Sequence, residues 1–134
     1  MSAKSPEEAI RANAKLVLDK FRSVSGLGAR FGYNRESVVW VDGFIERYRS
    51  KPDFTIESAA MLVQVIGSYL GECVIREYGG EWREHEDGWG VFFDEKNAVF
   101  PLVKVHKQFQ QGLDGGESIL GFFDLIGPVI FNKS

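Results

Sequence analysis

Cysteine is almost missing from this chain. Cys73 stands alone among 134 residues, so no internal disulfide can brace the fold. With no paired cysteines, the cytoplasm is the expected compartment. Histidines number two and prolines four. No H-E-x-x-H or cysteine-pair spacing occurs, so no metal site is expected. A phosphate-cradling G-x-x-x-x-G-K-[ST] loop is absent, as is G-x-S-x-G. Gly26-Leu27-Gly28 lacks the strand–turn–helix setting of a dinucleotide fingerprint, and Ser23 and Ser25 have no histidine placed to activate them. No cofactor is therefore expected. Charged residues lead directly from the first positions, without the apolar stretch of a signal peptide. No uninterrupted run approaches the ~18 apolar residues of a membrane span.

What the chain does hold is apolar material for one core. Hydrophobic residues make up 44% and aromatics 13%, enough to fold residues 1–134 as a single domain without a staple. The net charge of −3 is unevenly spread: residues 1–51 carry +4 and residues 52–134 carry −7. An acidic half disfavours nucleic acid, whose phosphates need clustered cations. The basic half intermixes its cations with carboxylates on helices, as a solvated face does.

Periodicity divides the chain in two. Ser5-Pro6-Glu7-Glu8 is a helix start, with Ser5 as cap and Glu8 closing a capping box. Ile10, Ala14, Val17, Phe21 and Val24 follow at helical spacing, with Leu18 beside them, and Gly26 is expected to end the helix. Asn34 caps a second helix with Val38, Val41, Ile45 and Tyr48 on its buried face, stopped by Lys51-Pro52. Thr55 caps a third, from about Ile56 to Tyr78. Met61, Leu62, Val65, Ile66, Tyr69, Leu70, Cys73 and Val74 make it apolar nearly all round, the mark of a central helix. Gly67 and Gly71 on it predict close approach of another backbone. After Gly79-Gly80 the period changes to two. Strands are expected at Glu81–His85, Trp89–Phe93 and Ala98–Val105, turning at Asp87-Gly88 and at 94–97. A short helix at 106–111 and a final apolar helix from Ile119 follow, ended by Gly127-Pro128. Val129-Ile130-Phe131 then forms a terminal strand or docked tail. The expected class is α+β: three N-terminal helices, a three-stranded antiparallel meander, and a C-terminal helix packed on the sheet.

Several of these segments form a pattern. Gly67-Ser68-Tyr69-Leu70-Gly71-Glu72 lies late in a helix, Gly79-Gly80-Glu81-Trp82 opens the hairpin, and Val99-Phe100-Pro101 precedes a Lys/His/Gln-rich turn and the last helix. The pattern resembles a group of small bacterial α+β domains of unknown function, with a G-x-Y-L-G-E helix followed by a G-x-x-W hairpin. The match covers about residues 55–126 and leaves 1–54 aside. The resemblance implies the fold and a bacterial origin, and it brings no catalytic residues.

Six residues are candidates for binding: Glu72, Trp82, His85, Trp89, Lys104 and His106. Glu72 sits among apolar neighbours, so it must pair or reach solvent. Arg76, four residues on, or a strand backbone is the expected partner; a general acid/base role is the alternative. Glu84-His85-Glu86-Asp87 cannot converge on one ion, because adjacent strand residues face opposite ways. His106, with Lys104 and Lys107 close by, reads as a surface residue before it reads as an anion site. Trp82 and Trp89 share a face of the hairpin, and with Phe92, Phe93 and Phe100 they read mostly as core. Trp40 and Phe44 read likewise. Cys73 reads as a small buried residue.

Two functions are compatible with these features. The first is a non-enzymatic protein-binding or regulatory module, of which immunity to a toxin is one form, meeting its partner through the acidic hairpin or a cleft between hairpin and helices. The second is a small enzyme or ligand-binding domain with Glu72 in a pocket between central helix and sheet, helped by Lys104 or His106. The final apolar helix with Val129-Ile130-Phe131 is a candidate homodimer surface.

Overall fold

A computed structural model describes residues 5–132. The reading of residues 1–4 as free of a leader lies outside the described residues. The Ser5 hydroxyl accepts the Glu8 N–H at 3.2 Å and starts α1, Pro6–Phe21. Ile10, Ala14, Val17, Leu18 and Phe21 form its buried stripe. The helix stops at Phe21, earlier than Gly26, and Val24 is exposed. Local turn chemistry wins there: the Ser25 hydroxyl accepts the Leu27 N–H at 3.2 Å, and Gly26 takes a φ of +79°.

Asn34 caps α2, Arg35–Arg49, by accepting the Ser37 N–H at 2.9 Å. Val38, Val41 and Ile45 are fully buried. Trp40 and Phe44 lie half-buried against the Phe21 ring, with centroids 4.9 and 4.7 Å away. The Thr55 hydroxyl accepts the Ser58 N–H at 3.1 Å and caps a 3-10 turn that runs on into α3, Ala60–Tyr78. Every residue from Val65 to Val74 is buried. Length and composition alone would let Glu57–Tyr78 cross a membrane, yet its middle is wrapped by protein. Met61 departs from expectation and is 71% exposed. Val63 and Val65 take the inward positions of that first turn instead.

The helix glycines do separate jobs. At Gly67 a Cβ would lie 2.8 Å from the backbone of Leu102, so another helix approaches there as expected. At Gly71 the neighbour is a side chain: the Trp82 indole would lie 2.1 Å from a Cβ.

Gly79 and Gly80, with φ of +85° and +95°, turn the chain into β1, Glu81–His85. It pairs antiparallel with β2, Gly88–Phe92, in the register Trp82↔Val91 and Glu84↔Trp89. β2 pairs antiparallel with β3, Ala98–Val99, in the order β1-β2-β3. The third strand is thus far shorter than the expected 98–105. Pro101 instead opens α4, Pro101–Gln111, at a position where its missing N–H costs nothing. Residues 98–105 are rich in apolar and β-branched side chains, as a strand is, but Pro101, Val105, Gln108 and Phe109 also make a helical stripe, and that stripe is the one buried.

Ser118 caps α5, Ile119–Ile130, by accepting the Gly121 N–H at 3.1 Å. This helix runs through Gly127-Pro128, so residues 129–130 are its last turn and not a strand. Proline disfavours the helical conformation of the residue before it partly by clashing with that residue's Cβ; Gly127 has none, so that part of the penalty is absent. Carboxylates of α2 hold the two last helices. Asp42 accepts the Ser118 hydroxyl at 2.8 Å. Gln108 donates to Glu46 at 3.1 Å and accepts the Ile119 N–H at 2.7 Å. The protein is α+β, with three helices ahead of a three-stranded antiparallel sheet and helices packed against that sheet.

Candidate functional site

Glu72 is 5% exposed, and both its oxygens are engaged. The Trp82 indole N–H donates to Oε2 at 2.9 Å, and Arg76 donates to Oε1 at 2.9 Å. The arginine in turn lies 3.9 Å above the centroid of the Tyr33 ring. Gly71 makes the arrangement possible, because the absent side chain leaves the indole room to lie across α3. Tyr69 adds a second tie by donating its hydroxyl to the Gly32 carbonyl at 2.7 Å. Burial pushes that hydroxyl far above its ordinary range. Gly71, Glu72 and Trp82 therefore act together as a packing device that clamps β1 onto α3, while Tyr69 ties the same helix to the loop ahead of α2.

A cleft of about 680 Å³ between α3 and the start of the hairpin is lined by Glu72 and Trp82 themselves, with Glu7, Arg11, Arg76 and Glu81. Lys104 and His106 are elsewhere. Lys104 pairs with Glu117 and borders an apolar groove beside α5. His106 is exposed on α4, near Ile56 and Glu57 at the start of α3. Two residues apart on a helix, they point away from each other. Neither residue therefore joins Glu72 as the ligand-binding alternative expected; the polar group within hydrogen-bond reach of Glu72 in the cleft is Arg76. Cys73 is buried, which pushes its thiol up to about 12 and leaves it unreactive. Among the described residues, no group of three or more His, Cys, Asp or Glu side chains is arranged to hold a metal ion.

The hairpin separates the remaining candidates by face. Trp82, Glu84, Trp89 and Val91 share one side, and there Trp82 and Val91 are buried while Trp89 is half-buried. His85 lies on the other side with Arg83 and Phe92. Its ring is 6.0 Å from Phe92 and 5.9 Å from Phe100, centroid to centroid. Gly90 makes the space: a Cβ there would stand 2.7 Å from the Phe100 ring. The Arg83 guanidinium lies 5.6 Å from the Phe92 centroid. Phe92 and Phe100 are half-buried, so this outer patch is not core as the sequence suggested. Strand alternation carries the missed signal: with Trp82 facing inward, residues 83 and 85 must face out. Around the patch Glu81, Glu86 and Asp87 are exposed at the hairpin's edge and tip, while Glu84 is exposed on the opposite side. Glu81 pairs with Arg83 at 2.7 Å.

Comparison with known proteins adds nothing to this geometry: no family model, curated protein or solved structure matches the chain.

Proposed function

We propose that this chain is a non-enzymatic protein-binding or regulatory module whose acidic hairpin meets a basic surface on a partner protein. One observation carries the reading. The outer face of the hairpin presents half-buried aromatic rings beside solvent-exposed carboxylates, while the buried carboxylate of the same region is spent on packing. A ring patch with a charged margin matches the anatomy of a contact surface, where aromatics supply affinity and charges supply steering and selectivity. A module that neutralises a basic toxin, as an immunity protein does, is one concrete form. The cytoplasmic setting and the bacterial origin implied by the sequence pattern belong to the same proposal.

Capture from a native lysate tests it. Wild-type protein is expected to retain a specific basic partner. The triple variant Glu81→Lys, Glu86→Lys, Asp87→Lys is expected to lose about tenfold or more of that capture, with its circular dichroism unchanged. Equal capture by both forms removes the hairpin as the contact surface.

A further inference from the structure

Strand β1 is an outer strand of the sheet, whose order is β1-β2-β3. The turn Glu86-Asp87 spans two residues, so His85 and Gly88 exchange hydrogen bonds, and pairs alternate from there between bonded and open. Arg83 and Glu81 therefore spend their backbone groups on Gly90 and Phe92. Trp82 and Glu84 turn theirs to the free edge, where neither the N–H nor the C=O of either residue has a partner among the described residues. Such a row of unanswered groups is what an added strand completes.

The space beside this edge is open on the side of α3. The cleft beyond Gly80 and Trp82 reaches Glu7 and Arg11 of α1, with Ile75 and Arg76 of α3 on its wall. A strand added to β1 sends every second side chain to that side. The unpaired charge there is mostly negative. Glu84 shares the side of Trp82, is exposed and has no ion pair; Glu7 is half-buried in the cleft without one. Glu72 and Arg76 answer each other at 2.9 Å, and Glu81 is paired with Arg83 on the outer face. Arg11, exposed at the cleft, is the cation left over.

We propose that an extended segment of the basic partner adds to β1 as an antiparallel fourth strand. One lysine or arginine of the segment stands opposite Glu84, and another, opposite Trp82, enters the cleft beside Glu7. The inference rests on the hairpin being the contact surface and states how the partner meets it. Main-chain bonds to Trp82 and Glu84 supply the affinity, and the alternate basic side chains supply the selection.

The test titrates a short synthetic peptide of alternating lysine and valine into the isotope-labelled full chain, up to about 1 mM, and follows its amides by NMR. Binding is expected to slow hydrogen exchange at the Trp82 and Glu84 amides and to leave Arg83, already bonded to Gly90, little changed. In the proposed pairing the lysines turn their backbone to β1. N-methylation of the lysines is therefore expected to abolish binding, and N-methylation of the valines to leave it within about threefold. Glu84→Pro removes an outward N–H that the hairpin does not use and is expected to weaken binding about tenfold or more. Glu84→Gln keeps the N–H and should cost about threefold or less. Absence of binding at the highest concentration, protection that spares Trp82 and Glu84, or equal loss with both methylated peptides overturns the proposal. Protection of the same two amides in the concentrated chain alone gives the edge to a second copy and overturns it too. If Glu84→Pro keeps the lysate capture that Glu81→Lys, Glu86→Lys, Asp87→Lys loses, the hairpin remains the contact surface and strand addition alone falls. If neither variant loses capture, both readings fall.

Discussion

Glu72 and the carboxylates at the hairpin tip lie on neighbouring elements and have opposite fates. Glu72 is buried with each oxygen answered, one by the Trp82 indole and one by Arg76. Glu84, Glu86 and Asp87 stand in solvent. A buried carboxylate must be satisfied by the fold that surrounds it, so it becomes part of the scaffold. An exposed one costs little to keep and little to change, so it is free to serve a partner. Asp124 lies between these limits, held by two hydrogen bonds from Arg35 yet 41% exposed.

Breaking the buried end of this series should have the largest effect. Gly71→Ala places a methyl 2.1 Å from the Trp82 ring and must push the hairpin off α3. We expect a loss of about 3 kcal/mol in urea-unfolding free energy. A change below about 0.5 kcal/mol would mean that the indole moves aside freely and that β1 is not clamped. Trp82→Phe comes next. It keeps most of the ring and removes the N–H, leaving Glu72 Oε2 without its donor; about 2 kcal/mol should be lost in the same measurement.

Asp124 sharpens the middle of the series through pH. The hydrogen bonds from Arg35 hold its carboxyl below the ordinary aspartate value of 3.8. A folded pKa below the unfolded one means that the pair's contribution is complete above that ordinary value. The contribution fades as pH falls through the lowered folded value. Solvent screening limits it to about 0.5 kcal/mol. Asp124→Asn should therefore be less stable than wild type by about that amount at neutral pH, and the two unfolding curves should coincide at about pH 2. A gap that persists in acid would show that the substitution acts through packing and not through charge.

The starts of the first two helices were legible in the sequence because capping is local: Ser5 and Asn34 each accept from an N–H three residues on. The change of period after Gly79-Gly80 marked the sheet. What misled was a short apolar run. Residues 102–105 fit a strand and a helix equally well over four positions, and burial of Val105 and Phe109 by the rest of the fold decided for the helix. A proline ends most helices, and before Pro128 the glycine at 127 lacks the Cβ that carries part of the clash. At the site, Arg76 as partner of Glu72 followed from helical spacing, while the Trp82 bond is a contact between elements that no local pattern contains. The spread of Lys104, His106 and Glu72 over three separate places likewise follows from replacing a strand by a helix after Val99.

Cys73 gives the molecule a reporter of its own opening. As the sole thiol, 1% exposed in the middle of α3, it is beyond the reach of an alkylating reagent while the closed state lasts. Modification must wait for α3 to part from its neighbours. The labelling rate at a fixed reagent concentration then counts the fraction of molecules whose interior is momentarily open, with no dye, tag or engineered residue required.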